Sequence, residues 1–197
     1  MGKDGSPVMF MKVLYLAFPL VVGGFLQSLV LRFALFPGLV VPLDLGGKFR
    51  GKRVFGDNKT LRGLLVMVLG AVVGMAAQSI VYSFGLFRRI SLFDYAQVNP
   101  VWAGTALGLG FILGELPNSF LKRQCGIAPG GQGMGSLFWL FSLLDQIDSV
   151  VGCLIAAALT FWVPDWNIVV WTLAAGILLH MAVNGFFVLV HVKERIL

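Results

Sequence analysis

The chain has 197 residues, 58% of them hydrophobic and 12% charged, with a net charge of +6 and a mean hydropathy of +0.89. A soluble domain carries roughly 45–50% apolar and roughly 25% charged residues, so this composition excludes a water-soluble globular domain and leaves lipid to cover the surplus. A single transmembrane domain over residues 1–197 is the natural reading at this length, and the excess of 15 Lys and Arg over 9 Asp and Glu fits loops facing anionic lipid or a polyphosphate, with no nucleic-acid partner expected.

A helix needs roughly 20 apolar residues to cross the hydrocarbon core. Residues 13–31 carry no charge and form the first expected span, with Pro19 and the pair Gly23 and Gly24 inside it. Membrane helices tolerate such residues. The stretch is too long for a secretory signal and lacks a cleavage site, so it is expected to be retained. Residues 64–87 form the second span, and Gly70, Gly74 and Ala77 predict close helix packing there. Residues 101–113 open the third, which is expected to continue past Glu115. The segment LFWLFSLL at 137–144 is too short to span and is read as the start of the fourth helix, with its core at 150–163. That reading puts Asp145 and Asp148 within or at the edge of the membrane. The fifth span covers 168–192 and carries His180 and Asn184 on one face, as hydrogen-bonding partners for neighbouring helices. His191 is expected at the interface. Cys125 and Cys153 lack metal-site spacing; Cys153 is expected as a small core residue, and no disulfide is expected. The fold class is therefore all-α, a polytopic integral membrane protein with about five transmembrane helices. It has a basic cytoplasmic loop at about 41–63 and a second at about 121–144.

Five spans place the termini on opposite sides of the membrane. One side holds Lys48, Arg50, Lys52, Arg53, Lys59 and Arg62 after the first span, with Arg32 at the membrane edge. The same side holds Lys122 and Arg123 after the third span and Lys193 and Arg195 in the tail. The other side has Lys3, Lys12, Arg88 and Arg89. The positive-inside rule makes the first and third loops and the C-terminus cytoplasmic.

The loop VPLDLGGKFRGKRVFGDNKTLRG at 41–63 mixes five glycines with six basic residues. Glycine lets backbone approach a ligand, and N–H groups with Lys or Arg suit phosphate oxygens. The P-loop spacing is absent. Taken alone, the segment also reads as a solvated, lipid-facing basic loop. A second cluster, GELPNSFLKR at 114–123, puts Glu115 after a long apolar run. A carboxylate at membrane depth costs roughly 2.5–3.5 kcal/mol on insertion scales, so it is paired or functional. A third, DQIDS at 145–149, projects Asp145 and Asp148 from one helical face. Such a pair suits Mg²⁺, which takes one or two carboxylates plus substrate phosphates; acidic residues at a helix N-terminus are the alternative.

In chain order these motifs, PLDLG, FGDNKTLRG, GELPNSFLKR, DQID and HMAVN, resemble those of the archaeal CDP-archaeol synthases, within the wider CTP-dependent phosphatidate cytidylyltransferase superfamily. The resemblance runs from about 42 to 184, and FGDNKTLRG is its strongest block. It implies an enzyme that activates a lipid phosphate with CTP, releasing pyrophosphate. The lipid would be 2,3-bis-O-geranylgeranylglycerol 1-phosphate or a related phosphatidic acid. It implies Mg²⁺ as cofactor, on Glu115, Asp145 and Asp148. It implies CTP or lipid-phosphate contacts from Asp44, Gly56, Lys59, Thr60, Arg62, Ser119, Lys122 and Arg123. Lys59, Lys122, Arg123, Asp145 and Asp148 would form the catalytic set. Lys48, Arg50, Lys52 and Arg53 are left for anionic lipid. The family pattern has Asp where this chain has Glu115. A multi-pass cell-membrane location with a cytoplasm-facing site follows, with room for a homo-oligomer. A CDP-alcohol phosphotransferase is disfavoured because its D-G-x-x-A-R pattern is absent. A transporter or scaffold would need charges along several spans, whereas here they cluster at the cytoplasmic ends.

Overall fold

The computed structural model describes residues 6–131 and 133–189. Lys3, His191, Lys193 and Arg195 lie outside the described residues, as do the side chains of His180 and Asn184. The elements are α1 (Ser6–Arg32), a 3-10 turn (Pro37–Leu39), β1 (Lys48–Phe49), β2 (Lys52–Arg53), α2 (Leu61–Val81), α3 (Gly85–Ile90), α4 (Pro100–Gln124), α5 (Ser136–Thr160) and α6 (Trp166–Leu189). The protein is all-α apart from a minimal hairpin, whose Arg50 and Gly51 take φ 51° and 79° as a two-residue type I′ turn requires.

Local chemistry sets the helix ends. Thr60 caps α2, its Oγ1 accepting from Gly63 N–H at 3.2 Å. Asn99 caps α4, its Oδ1 accepting from Val101 and Trp102 N–H at 2.9 and 3.1 Å, with Pro100 in the first turn. At its other end α4 stops in a Schellman arrangement. Gly126 sits at φ +79°, its N–H bonds Arg123 C=O at 3.0 Å, and Ile127 N–H bonds Lys122 C=O at 2.9 Å.

Two expected boundaries move. The second span ends at Val81, and its last residues form α3. The loop expected over 121–144 shrinks to 125–135, because α4 carries Lys122 and Arg123 on to its glycine stop and LFWLFSLL is already helical in α5. The third span does run past Glu115, as expected, and Cys153 is buried in the core while Cys125 is exposed.

The long helices adjoin in the order α1, α2, α4, α5, α6, and α6 returns to α1. Of these, α1, α2 and α5 are long and apolar enough to cross a membrane by composition alone; α4 and α6, of 25 and 24 residues, complete the bundle. Their outer faces are apolar: Leu69, Ile80 and Leu159 stand 59%, 74% and 80% exposed. The inner contacts depend on glycine. A Cβ at Gly70 would lie 2.3 Å from Gly23 Cα, one at Gly74 2.5 Å from Pro19 Cα, and one at Gly152 2.1 Å from Gly110 C=O oxygen. Backbones so close gain dispersion contacts that lipid alone does not supply.

The two ends of the bundle differ. At one end Phe93 stacks with Tyr95, Phe161 and Trp162. There the buried Gln78 accepts from Tyr95 Oη at 2.7 Å and donates to Tyr15 C=O at 2.5 Å. At the other end the segment 33–60 meets the end of α4: Lys52 Nζ donates to Gln124 C=O at 2.5 Å.

Helix contact through bare backbone makes a stability prediction. Gly152→Ala drives a methyl into the α4 backbone and is expected to lower the melting temperature in detergent by roughly 5–10 °C, from an overpacking cost of about 1–3 kcal/mol. Gly24→Ala, with nothing within 4 Å of the added carbon, is expected to melt like the parent. Equal melting of all three proteins would contradict the backbone contact.

Candidate active site

The segment 33–60 is shaped around one carboxylate. The Asp44 side chain is 1% exposed. It accepts from Arg53 Nη2 at 2.6 Å and Nε at 3.2 Å, from Phe55 and Gly56 N–H at 2.9 Å each, and from Gly46 N–H at 3.1 Å. The Arg53 guanidinium first, and then the three backbone N–H groups, outweigh burial and hold this carboxyl far below the ordinary carboxylate range. The ends of the segment are stapled: Leu43 N–H donates to Lys59 C=O and Leu61 N–H to Val41 C=O, both at 2.8 Å.

On α4 the polar residues Glu115, Asn118, Ser119, Lys122 and Arg123 follow the spacing i, i+3, i+4, i+7, i+8 and so share one face. That face meets α5 beside its closest approach, where a Cβ at Gly114 would stand 2.4 Å from Asp148 C=O oxygen. Lys122 Nζ donates to Asp145 Oδ1 and Oδ2 at 2.6 and 2.5 Å. Asn118 Nδ2 donates to Asp145 Oδ1 at 2.7 Å and Asp148 Oδ2 at 2.8 Å. Glu115 pairs with Lys59, which ties the FGDNKTLRG segment to α4. Lys122 is 8% exposed. Its partner Asp145 is half-buried, its side chain 35% exposed, so solvent reaches one side of the pair.

Arg123 differs from the carboxylate-paired Lys59 and Lys122. It is 6% exposed, and its Nε and Nη1 find no acceptor among the described residues. Gly56, at φ +95°, lies against it: a Cβ there would meet Pro129 Cγ at 2.9 Å and Arg123 Cδ at 3.6 Å. No other residue fits that position, for backbone and for space alike. A desolvated guanidinium with open donors beside a glycine loop is prepared for an anion.

The structure thus brings Gly56, Lys59, Glu115, Ser119, Lys122, Arg123, Asp145 and Asp148 to one end of the bundle. Others bond within the fold. Asp44 has its oxygens bonded by the loop that it shapes. The Thr60 hydroxyl serves as the α2 cap, and Arg62 Nη1 donates to Leu35 C=O at 3.0 Å, while its buried Nε has no acceptor among the described residues. Lys52 and Arg53, expected to contact lipid, also hold the loop through Gln124 and Asp44. Glu115 does not join the aspartates: no three His, Cys, Asp or Glu side chains group as metal ligands among the described residues. The donor chemistry of Asp145 and Asp148, two carboxylates sharing one amide, still suits a hard divalent cation completed by phosphate oxygens. Asn118 was missed by reading the motif as charges alone, although it lies on the same stripe, four residues before Lys122.

The family model described as "CarS-like: CDP-archaeol synthase" matches residues 8–196. The chain belongs to the CDP-archaeol synthase family. Proteins named CDP-archaeol synthase are similar along most of its length. That of Methanoculleus marisnigri is 35% identical, over 82% of this chain and 92% of its own. That of Methanospirillum hungatei is 32% identical, over 78% and 87%. That of Methanopyrus kandleri is 32% identical, over 78% of each chain. A solved structure of an intramembrane enzyme for archaeal membrane lipids biosynthesis shares the fold, with a TM-score of 0.62 at 24% identity, covering 86% of this chain and 90% of that one.

Within this CDP-archaeol synthase fold the role of Asp44 is separable by protease. A carboxyl with a lowered folded pKa stabilises above its unfolded value, near 4, and loses that contribution as pH falls through the folded value. Segment 41–60 is therefore expected to resist limited proteolysis from neutral pH down to about pH 4. Asp44→Ala is expected to be cut there at neutral pH. Equal cutting rates for the two proteins would remove Asp44 from its place in the loop.

Proposed function

We propose that the chain transfers the cytidylyl group of CTP to the phosphate of an archaeal ether lipid, giving a CDP-lipid and pyrophosphate. Membership of the CDP-archaeol synthase family over residues 8–196 is the observation that carries this reading. The geometry supports it. A lipid phosphate oxygen attacks the α-phosphorus of CTP, the bond to the bridging oxygen breaks, and pyrophosphate leaves with the electron pair. No covalent protein intermediate is needed, and stabilisation of phosphate charge does most of the work.

Each residue takes a part that its surroundings allow. Arg123, buried with open donors, receives phosphate oxygens, and the Gly56 backbone leaves room for them. Lys59 and Lys122 stand at the rim of the same end, each already oriented by a carboxylate. Asp145 and Asp148 are not equivalent. Both Asp145 oxygens are bonded to Lys122, whereas Asp148 receives only neutral donors among the described residues: Asn118 Nδ2, and Ser149 N–H at 2.6 Å. Asp148 is thus the main Mg²⁺ ligand, and Asp145 shares its carboxylate between the cation and Lys122, which it orients. Bound Mg²⁺ would neutralise phosphate charge. The basic loops support a cytoplasmic position for this end, where CTP is available.

Purified protein in lipid nanodiscs, given labelled CTP and 2,3-bis-O-geranylgeranylglycerol 1-phosphate, is expected to release pyrophosphate in Mg²⁺ and none in EDTA. Asp148→Asn is expected to lose at least about 100-fold in kcat. Asp145→Asn should keep more activity, with a raised KM for CTP because Lys122 loses its orientation. No pyrophosphate release with either this lipid or phosphatidic acid would refute the proposed reaction, and equal activity of the two variants would refute the division of roles.

A further inference from the structure

Asn118 carries more contacts than a spacer in an α4 motif needs. It is 5% exposed and sits between two acidic side chains. A carboxamide has two N–H donors. Here one goes to Asp145 Oδ1 at 2.7 Å and the other to Asp148 Oδ2 at 2.8 Å. This pattern fixes the amide orientation. Turned over, its carbonyl would oppose two carboxylate oxygens and remove their donors. Oδ1 therefore faces away from both aspartates, where it is buried without a donor among the described residues.

Carboxylates three positions apart on one helix repel each other. Lys122 relieves Asp145, but no Lys or Arg is bonded to Asp148 among the described residues. Asn118 donates to both. Its reach follows from the helix crossing. The backbones of α4 and α5 meet at Gly114, so one turn later a short amide closes the gap. One further turn along, the longer Lys122 side chain is needed to reach the same Asp145.

We propose that Asn118 is a positioning residue that holds the Asp145 and Asp148 carboxylates at one separation, so that they bind a divalent cation as a pair. The proposal rests on the cytidylyltransferase reading of this site. Asn118 is neutral and acts through its donors. Its amide keeps the two anions together without cancelling the charge that attracts the cation, which a lysine at the same place would do. Groups that orient metal ligands in this way commonly alter metal affinity by about 10–100-fold when removed.

The test uses the full chain in nanodiscs and Mn²⁺ alone as probe, with free Mn²⁺ read by electron paramagnetic resonance in the absence of CTP and lipid substrate. Asn118→Leu keeps the volume and removes both donors; Asn118→Ala removes volume as well. Both variants are expected to bind Mn²⁺ at least about tenfold more weakly than the parent. In turnover, the Mg²⁺ concentration for half-maximal rate should rise by a similar factor, while KM for CTP at saturating Mg²⁺ stays within about threefold of the parent. A space-filling role predicts instead that Asn118→Leu binds Mn²⁺ like the parent and only Asn118→Ala is impaired, which would overturn the proposal. Unchanged Mn²⁺ binding in both variants would also overturn it, whatever happens to turnover. A parent protein that binds no Mn²⁺ would defeat the proposal together with the carboxylate-pair reading. A parent that binds Mn²⁺ while Asn118→Leu binds it equally would defeat the proposal alone.

Discussion

At the crossing of α4 and α5 the two backbones touch. Gly110 and Gly114 on one helix face Gly152 and the Asp148 carbonyl on the other, with no room for a single methyl. Every polar contact of the candidate site is measured from that point. One turn beyond it Asn118 reaches Asp145 and Asp148, and a further turn on Lys122 reaches Asp145. If the helices stood a side chain farther apart, these bonds would not form, and two aspartates and a lysine would be left unpaired at the membrane edge. The glycine of GELPNSFLKR is thus a packing residue whose effect is electrostatic.

The second constraint is the loop that closes the same end of the bundle. Its form comes from Asp44, whose carboxylate gathers Arg53 and three backbone N–H groups. The folded loop then presents Gly56 to Arg123 and Lys59 to Glu115. Seen along the membrane normal, the protein is asymmetric. Charges paired across elements occupy one end, while aromatic rings around Phe93 and a satisfied Gln78 network occupy the other. In surroundings of low dielectric, paired charges are held in place strongly, and Arg123, whose Nε and Nη1 have no acceptor among the described residues, stands to gain from an arriving phosphate.

The spans are legible in the sequence, because an apolar run long enough for a bilayer exceeds what a soluble core helix needs. The α4 stripe is legible too, since spacing of three and four residues maps directly onto a helix face. Partners across helices are not. Nothing in GELPNSFLKR says that Glu115 turns to Lys59 and not to the aspartates, because that choice depends on where α4 crosses α5 and how segment 41–60 folds back. For the same reason Asp44, Lys52 and Arg53 read as surface or substrate groups until the hydrogen bonds of the folded loop place them. Family resemblance carried the reaction, and the crossing geometry shows which side chains meet.

Binding of the nucleotide at the charged end of the bundle is the claim on which the rest depends. It is tested most directly by equilibrium binding of labelled CTP, with Mg²⁺ and without lipid substrate, to the parent, to Arg123→Gln and to Arg88→Gln at the opposite end. Arg123→Gln is expected to weaken CTP binding by at least about tenfold, the equivalent of one charge-assisted hydrogen bond, while Arg88→Gln binds like the parent. Equal affinities for Arg123→Gln and the parent would contradict a phosphate site built around the α4–α5 crossing.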